Sequence, residues 1–254
     1  MPGLHGGLRL NARFTLVRSI GTGGMGEVWV VEDRELDEEI AAKILPPGTP
    51  EDLVALLRRE CSNARRLLHP NIVPVFDFHR GDDGHSFITM ARVDGQDAGS
   101  LRGRPVAGIL TLAVPLAAAL AYAHGIGVVH RDLKVGNVLV DADGQPRLID
   151  FGIAAILGEQ AEPRGGGSRY NVSPQQLSGE AAQIADDLYG FGVLLYELFS
   201  GQPPLWPDPT ADRILSERPA PLTSAHPVPP RLQALVAALL EKSPARRPAD
   251  MDAV

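Results

Sequence analysis

One stretch of the sequence decides the fold: His130-Arg131-Asp132-Leu133-Lys134-Val135-Gly136-Asn137. It places two cations, an acid, an imidazole and an amide within eight residues, between two short apolar runs. The spacing suits Asp132 for positioning a hydroxyl nucleophile, Asn137 for binding a metal ion through its amide oxygen, and Lys134 for neutralising a phosphate during transfer. A polar turn between two strands is the alternative. Charged surface runs do not alternate with apolar residues in this way, so the catalytic interpretation is favoured.

A second acidic motif follows. Asp150-Phe151-Gly152 comes thirteen residues after Asn137 and directly after the apolar run Arg147-Leu148-Ile149. This places a carboxylate at the end of a strand, where it can bind Mg²⁺ between phosphate oxygens. A single tripeptide of this kind carries little information, so its weight comes from its position after the first stretch.

A glycine-rich segment near the N-terminus contains Gly21, Gly23, Gly24 and Gly26. Residues without side chains let backbone N–H groups approach phosphate oxygens closely. Dinucleotide-binding folds use the same spacing, but a helix follows there, whereas a β-type run at 28–31 follows here. The sequence therefore predicts a β-hairpin that covers phosphates, with a hairpin that binds no ligand as the alternative.

Lys43 ends a run of small apolar residues, and its ammonium group therefore needs an anion or solvent. A helix is predicted to begin with Thr49 as its N-cap and Pro50 at the first helical position, and to end near 69–70. Glu60 falls on the apolar stripe of that helix. Because an unpaired buried charge is costly, the sequence predicts an ion pair between Lys43 and Glu60. The stripe consists of Leu53, Leu57, Ala64 and Leu67.

The chain changes character near residues 93–95, from strands to helices. Helices are predicted at 106–124 and 187–199, the first with a kink or local adjustment at Pro115. The predicted fold class is therefore α+β. Strands are predicted at 14–17, 28–31, 40–42, 72–78 and 87–90, with a turn at 81–84.

The glycine-rich loop, the strand lysine, the H-R-D-L-x-x-x-N loop and D-F-G stand in the order of the protein kinase signature, and the chain resembles that family from about Leu8 to Val254. The loop form Gly-Gly-Met-Gly-Glu-Val is similar to that of bacterial, eukaryotic-like (Hanks-type) serine/threonine kinases, and Lys134 points to serine/threonine specificity. The resemblance implies a bilobal protein-kinase fold: a small antiparallel β-sheet N-lobe with one helix at 8–93 and a larger, mainly α-helical C-lobe at 94–254.

The resemblance also implies roles for individual residues. Lys43 would bind the α- and β-phosphates of ATP and pair with Glu60, and Asp132 would orient the substrate hydroxyl and accept its proton. Mg²⁺, with Mn²⁺ as an alternative, would be bound by Asn137 and Asp150. The adenine ring would lie between Val28, Ala41 and Leu139, with Met90 at the back of its pocket and the backbone of Ala91 and Val93 at its edge.

The sequence departs from the family pattern in the segment that closes the catalytic region. Ser173-Pro174-Gln175 replaces A-P-E, so the usual ion pair to an arginine, here Arg247, becomes at most a hydrogen bond to a neutral acceptor. No threonine occurs from Phe151 to Gln175. Ser168 matches the position that contacts the catalytic loop, and Asp187 matches the residue that braces the backbone of that loop, with a helix N-cap as its alternative role.

Composition excludes several classes. The 254 residues carry a formal charge of -7, which argues against nucleic acid or an anionic membrane surface as the main partner. One cysteine, Cys61, excludes internal disulfides and fits a reducing compartment. The apolar stretches near 106–123 and 188–199 are predicted to be too short or broken to span a bilayer. We expect a cytoplasmic protein without membrane contact from this segment, and a continuation beyond Val254 that could carry a membrane anchor.

The sequence is compatible with three hypotheses for the function. The leading hypothesis is an ATP- and Mg²⁺-dependent kinase that phosphorylates serine or threonine hydroxyls of proteins, including its own. The alternative is an ATP-binding pseudokinase or scaffold, motivated by Gln175, Pro115 and the altered activation segment. A small-molecule phosphotransferase of related fold is disfavoured by the complete H-R-D-L-K string and by Asp187.

Overall fold

The computed structural model describes residues 4–23, 26–46, 48–82, 84–151 and 169–254. These residues divide into two compact units. Unit 1 comprises 4–68 and 73–93, and unit 2 comprises 69–72, 94–151 and 169–254. Each unit has its own sheet and its own buried residues.

The sheet of unit 1 has five strands in the order β1-β2-β3-β5-β4, and all neighbours are antiparallel. Short apolar runs separated by turns predicted a small antiparallel sheet, and the strands near 14–17, 28–31, 40–42 and 87–90 are confirmed. The strands are β1 (Phe14–Gly23), β2 (Gly26–Asp33), β3 (Glu38–Ile44), β4 (Val75–Arg80) and β5 (Ser86–Met90).

A cluster of buried residues, most of them on β1, β2, β3 and β5, forms part of the hydrophobic core of unit 1. The segment before β1 adds to it: Leu10 is fully buried, Leu4 and Leu8 pack against the cluster, and Leu8 accepts a backbone hydrogen bond from Leu16. Burial of these side chains is the main favourable term for folding of the unit. The buried members of the cluster are Leu10, Phe14, Leu16, Trp29, Val31, Ile40, Ala42, Ile44 and Phe87.

Helix α1 (Glu51–Ala64) has the predicted apolar stripe, but its ends differ from the prediction. Pro50 is the N-cap, and Thr49 instead donates its hydroxyl to the carbonyl oxygen of Pro46 (2.7 Å), a local turn that competes with capping. The helix ends at Ala64, before 69–70. Cys61 lies on the buried face, where burial raises the pKa of its thiol to about 11, as expected for a small core residue.

The predicted strand at 72–78 was wrong at its start, because residues 69–72 belong to unit 2. Ile72 forms an isolated parallel bridge to Leu148, and the side chain of Asn71 donates to the carbonyl oxygen of Pro146 (2.9 Å). These contacts attach the segment to unit 2, so strand β4 begins only at Val75.

Unit 2 contains a small antiparallel sheet of order β6-β7-β8 and a set of helices. The strands are β6 (Gly95–Asp97), β7 (Val138–Asp141) and β8 (Pro146–Leu148). The α-helices described are α2 (Val106–Gly125), α3 (Pro174–Leu177), α4 (Ile184–Ser200), α5 (Ala211–Ser216) and α6 (Pro230–Leu239). As predicted, α4 is buried on nearly every side, from Asp186 to Phe199.

Helix α2 agrees with the predicted range 106–124 to within one residue. It runs through Pro115 without interruption for 20 residues, and by length and hydropathy alone it qualifies as a membrane-spanning helix. The prediction that this stretch is too short was therefore wrong. A buried helix of a globular domain passes the same test. In unit 2, α2 packs against α4 and β8 and buries one face, including Leu112, Leu116 and Leu120.

Candidate active site

The stretch that decided the fold forms a loop between α2 and β7 with an uncommon backbone conformation. Within this loop Arg131 has a φ of 71°, and Asp150, which follows β8, has a φ of 63°. Such left-handed conformations of residues other than glycine cost about 1–3 kcal/mol each and persist where surrounding contacts impose them. The contacts that hold Arg131 in this conformation come from Asp187 on α4 and from Gln176 on α3.

Asp187, in the first turn of α4, holds the backbone of this loop. Its Oδ2 accepts from the N–H of His130 (2.8 Å), and its Oδ1 accepts from the N–H of Arg131 (2.8 Å). The ring of His124 on α2 lies 2.8 Å from the same Oδ2 through Nε2. The predicted bracing role of Asp187 is thus confirmed. The alternative prediction, that Asp187 is the N-cap of this helix, is wrong, since Gln183 is the N-cap of α4.

The carboxylate of Asp132 is oriented by two neighbours that the sequence singled out. Lys134 donates through Nζ to Oδ2 (2.6 Å), and Asn137 donates through Nδ2 to the same oxygen (2.9 Å) and to the Asp132 carbonyl oxygen (2.7 Å). Both donors reach Oδ2. Oδ1 is therefore the oxygen that can accept a proton from a substrate hydroxyl.

His130 connects this loop to the strand end that precedes Asp150. The N–H of Asp132 donates to Nδ1 of His130 (3.3 Å), so the ring hydrogen is on Nε2, which lies 2.8 Å from the carbonyl oxygen of Ile149. The ring also packs on Phe151, with centroids 4.6 Å apart. His130 thereby fixes the loop and the Asp150 segment relative to one another.

Asn137 and Asp150 have the chemistry expected of magnesium ligands. The N–H of Ile149 donates to the carbonyl oxygen of Asn137 (3.0 Å), which ties the residue before Asp150 to Asn137. Because Nδ2 of Asn137 is committed to Asp132, its Oδ1 is the atom that can bind a cation. Mg²⁺ typically takes one or two protein carboxylates or carbonyls and completes its shell with water and phosphate. No cluster of three or more His, Cys, Asp or Glu side chains suited to a metal occurs in the part of the chain described.

In unit 1, Lys43 is only 4% exposed and lies opposite Val28 on β2 and Ile88 on β5. Glu60, in contrast, is partly exposed at the edge of the α1 stripe. Leu53, Leu57 and Ala64 of the predicted stripe are buried on α1, and Leu67 is buried in the segment after the helix. The Lys43–Glu60 ion pair stays a prediction.

The glycine-rich segment forms the β1–β2 hairpin, with Gly21 opposite Val28 and Gly23 opposite Gly26. Gly26 has a φ of 114°, and a Cβ there would lie 2.1 Å from the carbonyl oxygen of Ile44. Glycine is therefore required at this position. Gly24, Gly152 and Ser168 lie outside the described residues.

Three of the predicted adenine-binding residues of unit 1, Val28, Ala41 and Met90, lie on the neighbouring strands β2, β3 and β5. Ala41 on β3 is paired with Met90 on β5, and both are buried. The N–H of Ala91 donates to the carbonyl oxygen of Pro74 (2.9 Å). Its carbonyl oxygen is therefore the group that this residue can offer to an adenine edge.

Residues 171–176, at the end of the activation segment, are held by buried polar contacts. As predicted, Gln175 accepts through Oε1 a hydrogen bond from Nη2 of Arg247 (2.8 Å). Three residues that were not predicted from the sequence to belong to the site also contribute. Asn171 donates a hydrogen bond to the carbonyl oxygen of Leu133 (2.9 Å), and Gln176 donates one to the carbonyl oxygen of Arg131 (2.8 Å). The hydroxyl of Ser173 donates to Oδ1 of Asp186. The S-x-x-Q pattern at 173–176 is a capping-box signature and could have revealed part of this arrangement.

Fold and site together define a protein kinase domain. The family model described as protein kinase domain matches residues 14–254. The chain belongs to this family, and the predicted fold class is confirmed.

Known relatives are bacterial serine/threonine-protein kinases. The chain is 36% identical to pkn3 of Myxococcus xanthus, over 92% of this chain and 47% of the relative. It is 34% identical to PknA of Mycobacterium tuberculosis, over 95% of this chain and 59% of the relative. The chain thus spans about half the length of these relatives. Among solved structures, the kinase domain of Mycobacterium tuberculosis PknI matches with a TM-score of 0.74 and 28% identity, covering 98% of this chain and 95% of that one.

Proposed function

We propose that the chain is the catalytic domain of a bacterial serine/threonine protein kinase, which transfers the γ-phosphoryl group of ATP to hydroxyl groups of protein substrates and of itself. The observation that carries this proposal is the environment of Asp132. Its Oδ2 is held by Lys134 and Asn137, while its Oδ1 remains to accept a proton. Family membership and the names of the relatives support the same activity.

Phosphoryl transfer depends mainly on the positioning of the reacting groups and on neutralisation of the phosphate charge. Asp132 orients the substrate hydroxyl toward the γ-phosphorus and takes up its proton as the new oxygen–phosphorus bond forms and the bond to the β-phosphate oxygen breaks. Lys134, 2.6 Å from Asp132, is near enough to neutralise charge on the phosphoryl group in transit. Mg²⁺, when bound, neutralises phosphate charge, and Asn137 and Asp150 are the residues that would hold it. Mn²⁺ is an alternative metal.

Nucleotide binding is assigned on the family pattern. Lys43 binds the α- and β-phosphates and Glu60 is its partner, while residues 8–93 and 94–254 form the two lobes. The β1–β2 hairpin covers the phosphates through Gly21, Gly23, Gly24 and Gly26. The residues proposed for the adenine ring are Val28, Ala41, Met90, Ala91, Val93 and Leu139. The single buried thiol supports a cytoplasmic location for this domain.

The test is phosphate transfer from radiolabelled ATP, with Mg²⁺, to the protein itself and to a generic protein substrate. Asp132→Asn keeps the size of the side chain but removes the acceptor of the proton, so transfer should fall by about 100-fold or more. Asp143→Asn, in the exposed turn after β7, is the matched control and should leave transfer unchanged. Transfer that persists in Asp132→Asn contradicts the mechanism. If ATP and Mg²⁺ raise the melting temperature but no phosphate is transferred, the domain is an ATP-binding scaffold.

A further inference from the structure

The strained backbone of Arg131 is held at both of its polar groups. Its N–H donates to Oδ1 of Asp187 (2.8 Å), as the family pattern implies. Its carbonyl oxygen accepts from Nε2 of Gln176 (2.8 Å), at the start of α3. Arg131 and Gln176 are 45 positions apart in the sequence, so this contact is purely tertiary.

The Arg131 carbonyl belongs to the same planar peptide group as the N–H of Asp132. That N–H donates to Nδ1 of His130 (3.3 Å). One peptide plane is therefore held on its oxygen side by Gln176 and on its nitrogen side by His130. Because Cα of Asp132 lies in this plane, the two contacts together limit the direction in which the Asp132 side chain leaves the backbone.

Gln176 is itself fixed by a capping box at the start of α3. Its Oε1 accepts from the N–H of Ser173 (3.0 Å), and its own N–H donates to the hydroxyl of Ser173 (3.0 Å). That hydroxyl donates to Oδ1 of Asp186, which is 2% exposed. Asp186 and Asp187 are neighbours on α4. One turn of α4 thus anchors both the Gln176 support and the N–H of Arg131.

We propose that Gln176 is a positioning residue for Asp132, which acts by holding the Arg131–Asp132 peptide plane; this role in catalysis rests on the proposed kinase activity. The amide is needed because both of its ends are used, Oε1 as an acceptor and Nε2 as a donor. A glutamate would complete the same capping box. An ionised carboxylate has no hydrogen to donate to the Arg131 carbonyl, so Gln176→Glu removes this one contact and keeps the cap.

The experiment compares wild type, Gln176→Glu and the control Gln233→Glu. Gln233 also donates through its amide to a backbone carbonyl, that of Val228 (2.8 Å), but on exposed α6. For Gln176→Glu we expect kcat to fall about 10- to 100-fold, as a misplaced catalytic group would cause, with KM for ATP and melting temperature near those of wild type. Gln233→Glu should match wild type in all three quantities.

Hydrogen exchange of the peptide covering residues 128–138 supplies a second readout that needs no activity. Gln176→Glu should speed exchange in this peptide and Gln233→Glu should not, because only the former loosens the loop. Unchanged exchange together with unchanged kcat overturns the proposal. A melting temperature that falls in parallel with kcat also overturns it, since Gln176 would then act only through the stability of α3. If wild type transfers no phosphate, the proposed function fails, and the exchange comparison still decides whether Gln176 holds the loop.

Discussion

Arg247 donates from Nη2 to Oε1 of Gln175 over 2.8 Å, and the guanidinium is buried, with the residue only 6% exposed. Its other acceptors are the carbonyl oxygens of Ala185, Glu241 and Lys242. All the acceptors that it hydrogen-bonds are therefore neutral. Burial lowers the pKa of Arg247, although the nearby negative charge of Asp186 acts in the opposite direction. We therefore expect a carboxylate at position 175 to bind Arg247 more strongly than the amide does.

The first prediction is that Gln175→Glu stabilises the domain. A charge-assisted hydrogen bond is roughly twice as strong as a neutral one. The substitution also removes the hydrogen bond that Nε2 of Gln175 donates to the Lys242 carbonyl oxygen (3.0 Å), but that oxygen still accepts from Arg247. The net gain should therefore be at most about 1 kcal/mol, or about 2–4 °C in melting temperature. Thermal unfolding measures the change. In an Arg247→Met background the same substitution should give no gain, and an equal gain there would show that the ion pair is not the cause.

The second prediction concerns Lys242, whose pKa is lowered from 10.5 to about 8 by burial and by the charge of Arg247. Below about pH 8 both states carry the proton, and the folded state is destabilised by the buried charge. Between about pH 8 and the ordinary lysine pKa the folded state releases a proton that the unfolded state retains, so stability rises with pH. The free energy of unfolding of wild type should therefore increase relative to Lys242→Met between pH 7 and pH 9.5.

Arg218→Met is the control for this pH dependence. It removes a cation from an exposed position, where Arg218 pairs with Glu241 over 3.5 Å. Its unfolding free energy should follow wild type across the same pH range. A constant difference between wild type and Lys242→Met would show that Lys242 keeps its ordinary pKa in the folded protein.

The third prediction is that Asp187→Asn impairs both stability and transfer. An amide offers one acceptor oxygen where the carboxylate serves two backbone N–H groups, so one of His130 or Arg131 loses its partner. An unsatisfied buried donor costs about 1–3 kcal/mol. The melting temperature and kcat should therefore both fall, whereas Asp212→Asn on exposed α5 should change neither. An unaltered kcat in Asp187→Asn would show that the loop holds its shape without this brace.

The fourth prediction compares two glycines. Gly26→Ala must relieve a contact of 2.1 Å with the Ile44 carbonyl at a φ of 114°, so it should destabilise unit 1 by about 1–3 kcal/mol. Gly108 on α2 has open space around its Cβ position, and Gly108→Ala should stabilise by about 0.5–1 kcal/mol through reduced freedom of the unfolded chain. Denaturant unfolding measures both, and equal effects would contradict the steric argument.

Much of this architecture was predictable because local pattern and tertiary structure agree. The strands of unit 1 follow apolar runs bounded by turns, and the groups around Asp132 come from one continuous stretch. The contact of Gln176 with Arg131 could not be predicted, because its acceptor is a backbone carbonyl that every residue possesses. Residues 69–72 were misassigned for a similar reason: their pairing with β8 depends on a partner about 75 positions away.

Helix α2 has a consequence for synthesis of the chain. It contains no Asp, Glu, Lys or Arg, and its packing partners β8 and α4 both follow it in the sequence. At 5–20 residues per second, the ribosome needs about 3–12 s to make the roughly 60 residues between the end of α2 and the start of α4. During that interval the 20-residue apolar helix of the nascent chain lacks α4, one of the elements against which it packs. This interval is the period in which chaperone binding would most protect the newly made domain from aggregation.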